Sequence, residues 1–186
     1  MKFFFIRHGE SLWNIKNLCQ GKTDIELSQK GLSETKAFAA KSVHLPIHYI
    51  CASPLKRASK TAEIIKEHHP QAGFSLVEEF SERNWGYLEG ISSTAMYEIE
   101  KLEEANLDFK IDPSIESRQD LRARIKRGLE IAFQLHPEPL IVSHGRLFFG
   151  LCELLNIPIV RQMKNLCLME ITKTSSGWHS RELHLD

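Results

Sequence analysis

The chain has 186 residues, 42% of them hydrophobic, with 24 Lys plus Arg balanced by 24 Asp plus Glu. That length and apolar content fit one globular domain over residues 1–186, with a well-filled core. A formal net charge of zero excludes a global field favouring nucleic acid or an anionic membrane, so any anion site must come from local clustering.

Met1-Lys2, four apolar residues and then Arg7 lack the longer apolar stretch and cleavage site of a secretory signal, and no run elsewhere is long enough to span a bilayer. Cys19, Cys51, Cys152 and Cys167 show neither CxxC spacing nor the density of a disulfide scaffold. A cytoplasmic location is expected.

In chain order, the pattern predicts a strand at 2–6, a helix at 28–43, a strand at 49–52 and a helix at 54–68, the last opened by a Ser53 cap and Pro54 in its first turn. A strand at 75–77 follows, then helices at 92–106 and 117–135. In the second of these Ser117 caps a stripe of Leu121, Ile125, Leu129 and Ala132. Arg122, Arg124, Lys126 and Arg127 lie mainly off that stripe and read as a solvated face. A strand at 140–143, a helix at 146–155 and strands at 166–172 and 178–185 complete the chain. The turn-rich Thr174-Ser175-Ser176-Gly177 predicts antiparallel pairing of the last two strands. Short apolar runs alternating with helical segments indicate an α/β layered fold with a largely parallel sheet. The stretch 92–116 reads as a cap-like insertion over a pocket.

Two apolar strands run directly into a His-Gly pair, at Arg7-His8-Gly9 and at Ser143-His144-Gly145. Ligands in open α/β sheets bind at the carboxyl ends of strands, so histidines distant in sequence can share one pocket there. Displacement at phosphorus needs a nucleophile, cations around the equatorial oxygens and an acid for the departing oxygen. His8 fits the nucleophile. Arg7 beside it supplies a guanidinium, and Gly9 allows close backbone approach with its N–H as a donor. Arg57 sits in the first turns after the second strand, and His144, with Gly145, completes a positive cluster. Glu82 offers the acid, with Glu89 as the competing carboxylate.

The ordered set Arg7-His8-Gly9-Glu10-Ser11-Leu12-Trp13-Asn14, Gln20-Gly21, Asp24, Ser53-Pro54-Leu55 with Arg57-Ala58 and Thr61-Ala62, Glu82 with Gly86 and Glu89-Gly90, and Ser143-His144-Gly145 closely resembles the histidine phosphatase superfamily, in its phosphoglycerate-mutase-like branch. The resemblance implies a three-layer α/β/α sandwich with a mixed, mostly parallel sheet. It implies His8 as the phosphorylated nucleophile, Arg7, Arg57 and His144 as the phosphate clamp, and Glu82 as the proton donor that later activates water. Asn14, Gln20 and Gly21 resemble pocket-lining positions. The implied chemistry uses no metal and no cofactor, and the implied substrate is a small phosphorylated metabolite.

The mutase subgroup follows its acid with Arg-His-Tyr-Gly and then a Lys. Here Arg83 matches, but Asn84 and Trp85 replace His and Tyr, Ser93 stands at the Lys position, and no Arg-Arg pair occurs. Phosphatase is therefore favoured, resembling the α-ribazole and broad-specificity phosphatases. A phosphoglycerate mutase and a non-catalytic module that senses a phosphorylated ligand are the alternatives. Selectivity is expected from Arg83, Trp85 and the 92–116 segment.

Simpler readings apply to other residues. Glu89 ties its loop to nearby backbone, and Glu10 orients Arg7. Pro46 disrupts the helical spacing of His44 and His48 as metal ligands, His68-His69 marks an exposed helix end, and Gly21-Lys22-Thr23 lacks the earlier glycine of a P-loop. The sequence leaves the oligomeric state open.

Overall fold

A computed structural model of the chain describes residues 1–105, 109, 111–159 and 162–185. Asn106, at the expected end of the helix beginning at 92, and positions 107, 108 and 110 of the 92–116 segment lie outside the described residues.

The elements run β1 (Lys2–Arg7), α1 (Leu12–Ile15), α2 (Gln29–Lys41), β2 (Tyr49–Ala52), α3 (Lys56–His68), β3 (Gly73–Leu76), α4 (Ser93–Ala105), α5 (Arg118–Leu135), β4 (Leu140–Ser143), α6 (Gly145–Leu155), β5 (Leu168–Thr174) and β6 (Gly177–Leu183). The six strands form one sheet in the order β3-β2-β4-β1-β5-β6. The first four are parallel, while β5 runs antiparallel to β1 and β6 to β5, so the sheet is mixed. The β5–β6 hairpin turns where Thr174-Ser175-Ser176-Gly177 predicts.

The apolar run Phe3-Phe4-Phe5-Ile6 is continuous because both faces of β1 are covered. Phe3 and Phe5 point to a core built on α5 and α6, with Ile125, Leu129, Phe148 and Leu151. Phe4 and Ile6 point to a second core built on α2 and α3, with Ala39, Ala62 and Ile65. Helices on both faces of the sheet make the three-layer sandwich. A third, smaller cluster of Cys19, Trp85, Leu88, Met96 and Ile115 lies beneath α4.

Several local expectations are corrected. The N-cap of α3 is Leu55, which makes no side-chain cap, rather than Ser53. The Ser53 hydroxyl is engaged elsewhere: it lies 2.8 Å from His144 Nε2 and accepts the Leu55 N–H at 3.3 Å. The short helix α1 was not anticipated; its Ser11 cap and reciprocal Asn14 side chain form a capping box. Strand β3 begins two residues earlier than its apolar pattern suggests, because Gly73 to Leu76 pair with all of β2. Arg124 does not belong to a solvated face. It is buried against the chain that follows β3.

The α5 stripe behaves as its spacing requires, with Leu121, Ile125, Leu129 and Ala132 all buried. Ile125 is fully buried, at the place where α5 approaches Gly150 of α6 too closely for an added Cβ. Ile125→Ala is expected to destabilise the fold by about 2–5 kcal/mol through lost contact and a residual cavity, measured as a lowered urea midpoint with an unchanged slope.

Candidate active site

The parallel register sets Arg7 beside Ser143, and the His8 N–H donates to the Ser143 carbonyl at 2.9 Å. The two histidines therefore leave the sheet side by side, with ring centroids 5.1 Å apart. On the other side of β4, the Ser53 N–H donates to the Val142 carbonyl at 3.0 Å, which brings the start of α3 to the same edge.

His8 is buried, and its Nδ1 lies 2.7 Å from its neighbour's carbonyl, Gly9 O. A carbonyl only accepts, so Nδ1 carries the proton and Nε2 presents a lone pair. Burial, reinforced by Arg57 and Arg7, holds this imidazole well below its ordinary value of 6.5. The same causes, burial first and then Arg57, hold His144 well below 6.5. Both rings are neutral near pH 7.

Two cations face this neutral pair. Arg57 donates to the Thr23 carbonyl at 2.9 Å and the Gly21 carbonyl at 2.7 Å, and Arg7 donates to the Met163 carbonyl. Neutral carbonyls orient both guanidiniums without cancelling their charge. Burial lowers both, Arg57 to about 10, which leaves it charged at neutral pH. Arg7 Nε, Arg57 Nε, His144 Nδ1 and Trp85 Nε1 are buried without a hydrogen-bond partner among the described residues. Unpaired buried donors are costly, and here all of them cluster at one place. That is the electrostatic form of an anion site.

Glu82 stands at the N-terminus of α6, whose His144 cap supplies no side-chain bond. Its carboxylate takes that place, accepting the N–H groups of Arg83 at 2.9 Å and Leu147 at 2.8 Å on Oε1, and of Arg146 at 3.1 Å on Oε2. Three of its four lone-pair positions are thereby used, leaving one on Oε2. The loop carrying Glu82 is held by Arg124. That residue donates to the carbonyls of Glu79, Ser81 and Glu82 and grips the Glu116 carboxylate with two bonds of 2.8 Å.

A cavity of about 370 Å³ opens over these groups, lined by Arg7, His8, Asn14, Gln20, Gly21, Arg57, Glu82, Trp85 and Gly145 among others. Three expected binding positions lie outside the lining. His144 lies beneath His8, fully buried. Gly9 gives its N–H to Thr61 Oγ1 at 3.0 Å rather than to an anion, and an added Cβ there would lie 2.4 Å from Thr35 Oγ1. Its smallness serves helix packing.

Arg83 is the third. Its guanidinium forms a bidentate pair with Glu103 at 2.7 and 3.1 Å, donates to the Glu116 carbonyl and stacks over Trp85 at 4.3 Å. Glu10 accepts the Ser28 hydroxyl at 2.8 Å rather than orienting Arg7, so that expectation fails too. Glu89 receives the N–H groups of Lys22, Thr23 and Trp85, and Gly21, at φ +51°, leaves no room for a Cβ beside it. This tie holds the same loop whose carbonyls orient Arg57.

The cavity also includes Met96 and Tyr97 of α4, within the 92–116 segment expected to cap a pocket, and three residues with no expected role: Arg146 on α6, and Lys164 and Asn165 on the loop before β5. Asn165 donates to the His8 carbonyl at 2.8 Å. Arg146 directly follows His144-Gly145, and its position in that motif was the one available signal.

Residues 3–186 match the histidine phosphatase superfamily (branch 1). The Bacillus subtilis protein "Uncharacterized phosphatase PhoE" is 32% identical over 195 residues, covering 97% of this chain and 93% of that one. An Escherichia coli protein, "Probable phosphoglycerate mutase GpmB", is 32% identical over 154 residues, covering 78% and 70%. Among solved structures, a phosphoglycerate mutase from Bacillus anthracis superposes with a TM-score of 0.82 at 21% identity, covering 98% of this chain and 92% of that one. A mycobacterial glucosyl-3-phosphoglycerate phosphatase gives 0.80 at 22% identity, covering 97% and 96%. The chain belongs to the histidine phosphatase superfamily, branch 1, and is a phosphatase.

Proposed function

We propose that the chain, as one domain over residues 1–186, hydrolyses a small phosphorylated metabolite in two covalent steps. In the first, the His8 Nε2 lone pair attacks phosphorus, an N–P bond forms, the ester P–O bond breaks, and Glu82 gives its proton to the departing oxygen. In the second, Glu82 takes a proton from water, the new O–P bond forms and the N–P bond breaks, releasing inorganic phosphate. Arg7 and Arg57 supply the positive charge around the transferring group while His144 packs against the His8 ring, so the scheme calls for no metal and no cofactor. Asn14, Gln20 and Gly21 shape the wall.

The observation that carries this reading is the Nδ1 bond of His8 to the Gly9 carbonyl, which leaves Nε2 unprotonated on a ring that lines the same cavity as Arg7 and Arg57. The free position on Glu82 Oε2 matches an acid and base that must hold one mobile proton. A cavity of about 370 Å³ suits a small molecule. Hydrolysis is favoured over phosphoryl return because Arg83, the position that matches the mutase pattern, is committed to Glu103 outside the cavity. A cytoplasmic setting is supported by the four free cysteines, and no helix among the described residues is long and apolar enough to cross a membrane.

The test is to quench turnover in alkali and look for acid-labile phosphate on the protein. The wild-type chain is expected to carry it on His8, and His8→Asn to lose both the label and more than about 10³-fold of the rate. A His8→Asn variant that folds and turns over normally would falsify the mechanism. Supplying 3-phosphoglycerate with bisphosphoglycerate and finding isomerisation without phosphate release would establish the mutase instead.

The pH dependence follows from the depressed histidines. His8 must be neutral to attack, so the acid limb that it imposes on kcat/KM, which reports the free protein, lies well below pH 6.5, not at it. Stability carries the same sign. In the unfolded chain His8 and His144 take up protons near 6.5 while the folded rings do not, so the unfolded state binds more protons as pH falls. Stability contributed by these rings is complete above 6.5 and declines below it. Glu100, which burial raises to about 7, contributes with the opposite sign over this range, so the test is a difference: between pH 7.5 and 5.5 the urea midpoint of the wild-type chain should move downward relative to that of His8→Asn.

A further inference from the structure

Arg7 and Arg57 match the two charges of a phosphomonoester, yet the cavity lining holds two more cations. Arg146 stands in the first turn of α6 with its side chain 9% exposed, its Nε 3.0 Å from Glu100 Oε1 of α4, and its guanidinium 4.8 Å from the centre of the Tyr97 ring. Lys164 is exposed at the rim, with no carboxylate in ion-pair reach among the described residues. The backbone N–H of Arg146 binds Glu82 Oε2 at 3.1 Å, so the residue that anchors the proposed acid also presents its guanidinium to the space where a leaving group would lie.

The Arg146–Glu100 pair is costly as a stabilising device. Two buried charges give up more hydration than their attraction restores unless the remaining bonds are satisfied, and apolar side chains would fill the same space at no such cost. Met96, one turn before Glu100 on α4 and lining the same cavity, shows that this face accommodates apolar groups. Burial also raises the Glu100 carboxyl to about 7, so its negative charge is partly lost at neutral pH and its hold on Arg146 is weakened. A guanidinium kept in a cavity wall beside a weakly held carboxylate is suited to exchanging that carboxylate for another.

Resting on the two-step reading above, we propose that the leaving group of the substrate carries a second anionic group, held by Arg146 with Lys164 at the rim, and that Glu100 competes with it for Arg146. Arg146 and Lys164 are then specificity-determining residues, and Glu100 sets how strongly the second charge is felt. The shared chemistry is an anion on the leaving group, either a carboxylate or a second phosphate. A carboxylate is the group that Arg146 already faces in Glu100, through the contact of its Nε with Oε1 at 3.0 Å.

The experiment measures phosphate release by the full chain from two matched pairs: 3-phosphoglycerate with glycerol 3-phosphate, and fructose 1,6-bisphosphate with fructose 6-phosphate. In at least one pair the doubly anionic member is expected to lead in kcat/KM by about tenfold or more, the worth of one charge-assisted contact; the pair with the larger ratio identifies the anion. Arg146→Gln should bring that ratio to about twofold or less. Glu100→Gln should raise it about threefold or more through a lower KM, the reverse of what damage to packing would do, and Lys164→Gln should lower it. Should Arg146→Gln fail to fold, the opposite movements of the Glu100 and Lys164 variants decide. Phosphate release at equal efficiency within both pairs, with label still found on His8, overturns this proposal alone. No release from any of the four compounds and no label overturns the two-step reading and this proposal with it.

Discussion

The parallel pairing of β1 with β4 is the constraint on which the site depends. Registering Arg7 against Ser143 makes both strands end at one level, so His8 and His144, 136 positions apart by their numbers, become neighbours across one hydrogen bond. Because β4 also pairs with β2, the start of α3 and Arg57 arrive at the same edge. The start of α6 follows β4 directly and offers its unpaired N–H groups to Glu82. A one-residue slip of β1 would exchange Phe3 and Phe5 with Phe4 and Ile6 between the two cores. The packing of both helical layers therefore enforces the register that the chemistry uses.

Electrostatically, the arginines divide into two kinds. Arg7 and Arg57 are oriented by backbone carbonyls and keep their charge available to an anion. Arg83 and Arg124 are neutralised by Glu103 and Glu116, and they brace the chain on either side of Glu82. Arg146 is intermediate, paired with a carboxyl that burial weakens. The same side chain thus serves as ligand, brace or selector according to whether its partner is a neutral oxygen, a full charge or a partial one.

The small cluster under α4 has a separate task. Trp85 and Met96 line the cavity and pack with Leu88 and Ile115 behind them, and Arg83 stacks over Trp85. Trp85 therefore packs in this cluster, carries Arg83 on its face and also lines the cavity. Tyr87, equally conspicuous in the sequence, points to solvent at 58% exposure.

The fold class, the sheet's parallel core and β hairpin, the two helical layers and the convergence of His8, His144, Arg7, Arg57 and Glu82 on one place were all legible in the sequence. Strand-end His-Gly pairs and apolar periodicity are local signals that the backbone cannot reinterpret without exposing a core face. The partners of long polar side chains were not legible, because an Arg reaches several ångströms beyond its own element and meets whatever the topology brings there. Arg124 read as solvated and became a buried brace, Arg83 read as a ligand and became half of an ion pair, and Ser53 read as a helix cap and became the neighbour of His144. The amino-acid sequence determined which chemical groups stand at the strand ends. Only the tertiary structure decided which of the charged groups remain available to a substrate, since availability depends on the partners that folding brings within hydrogen-bond reach.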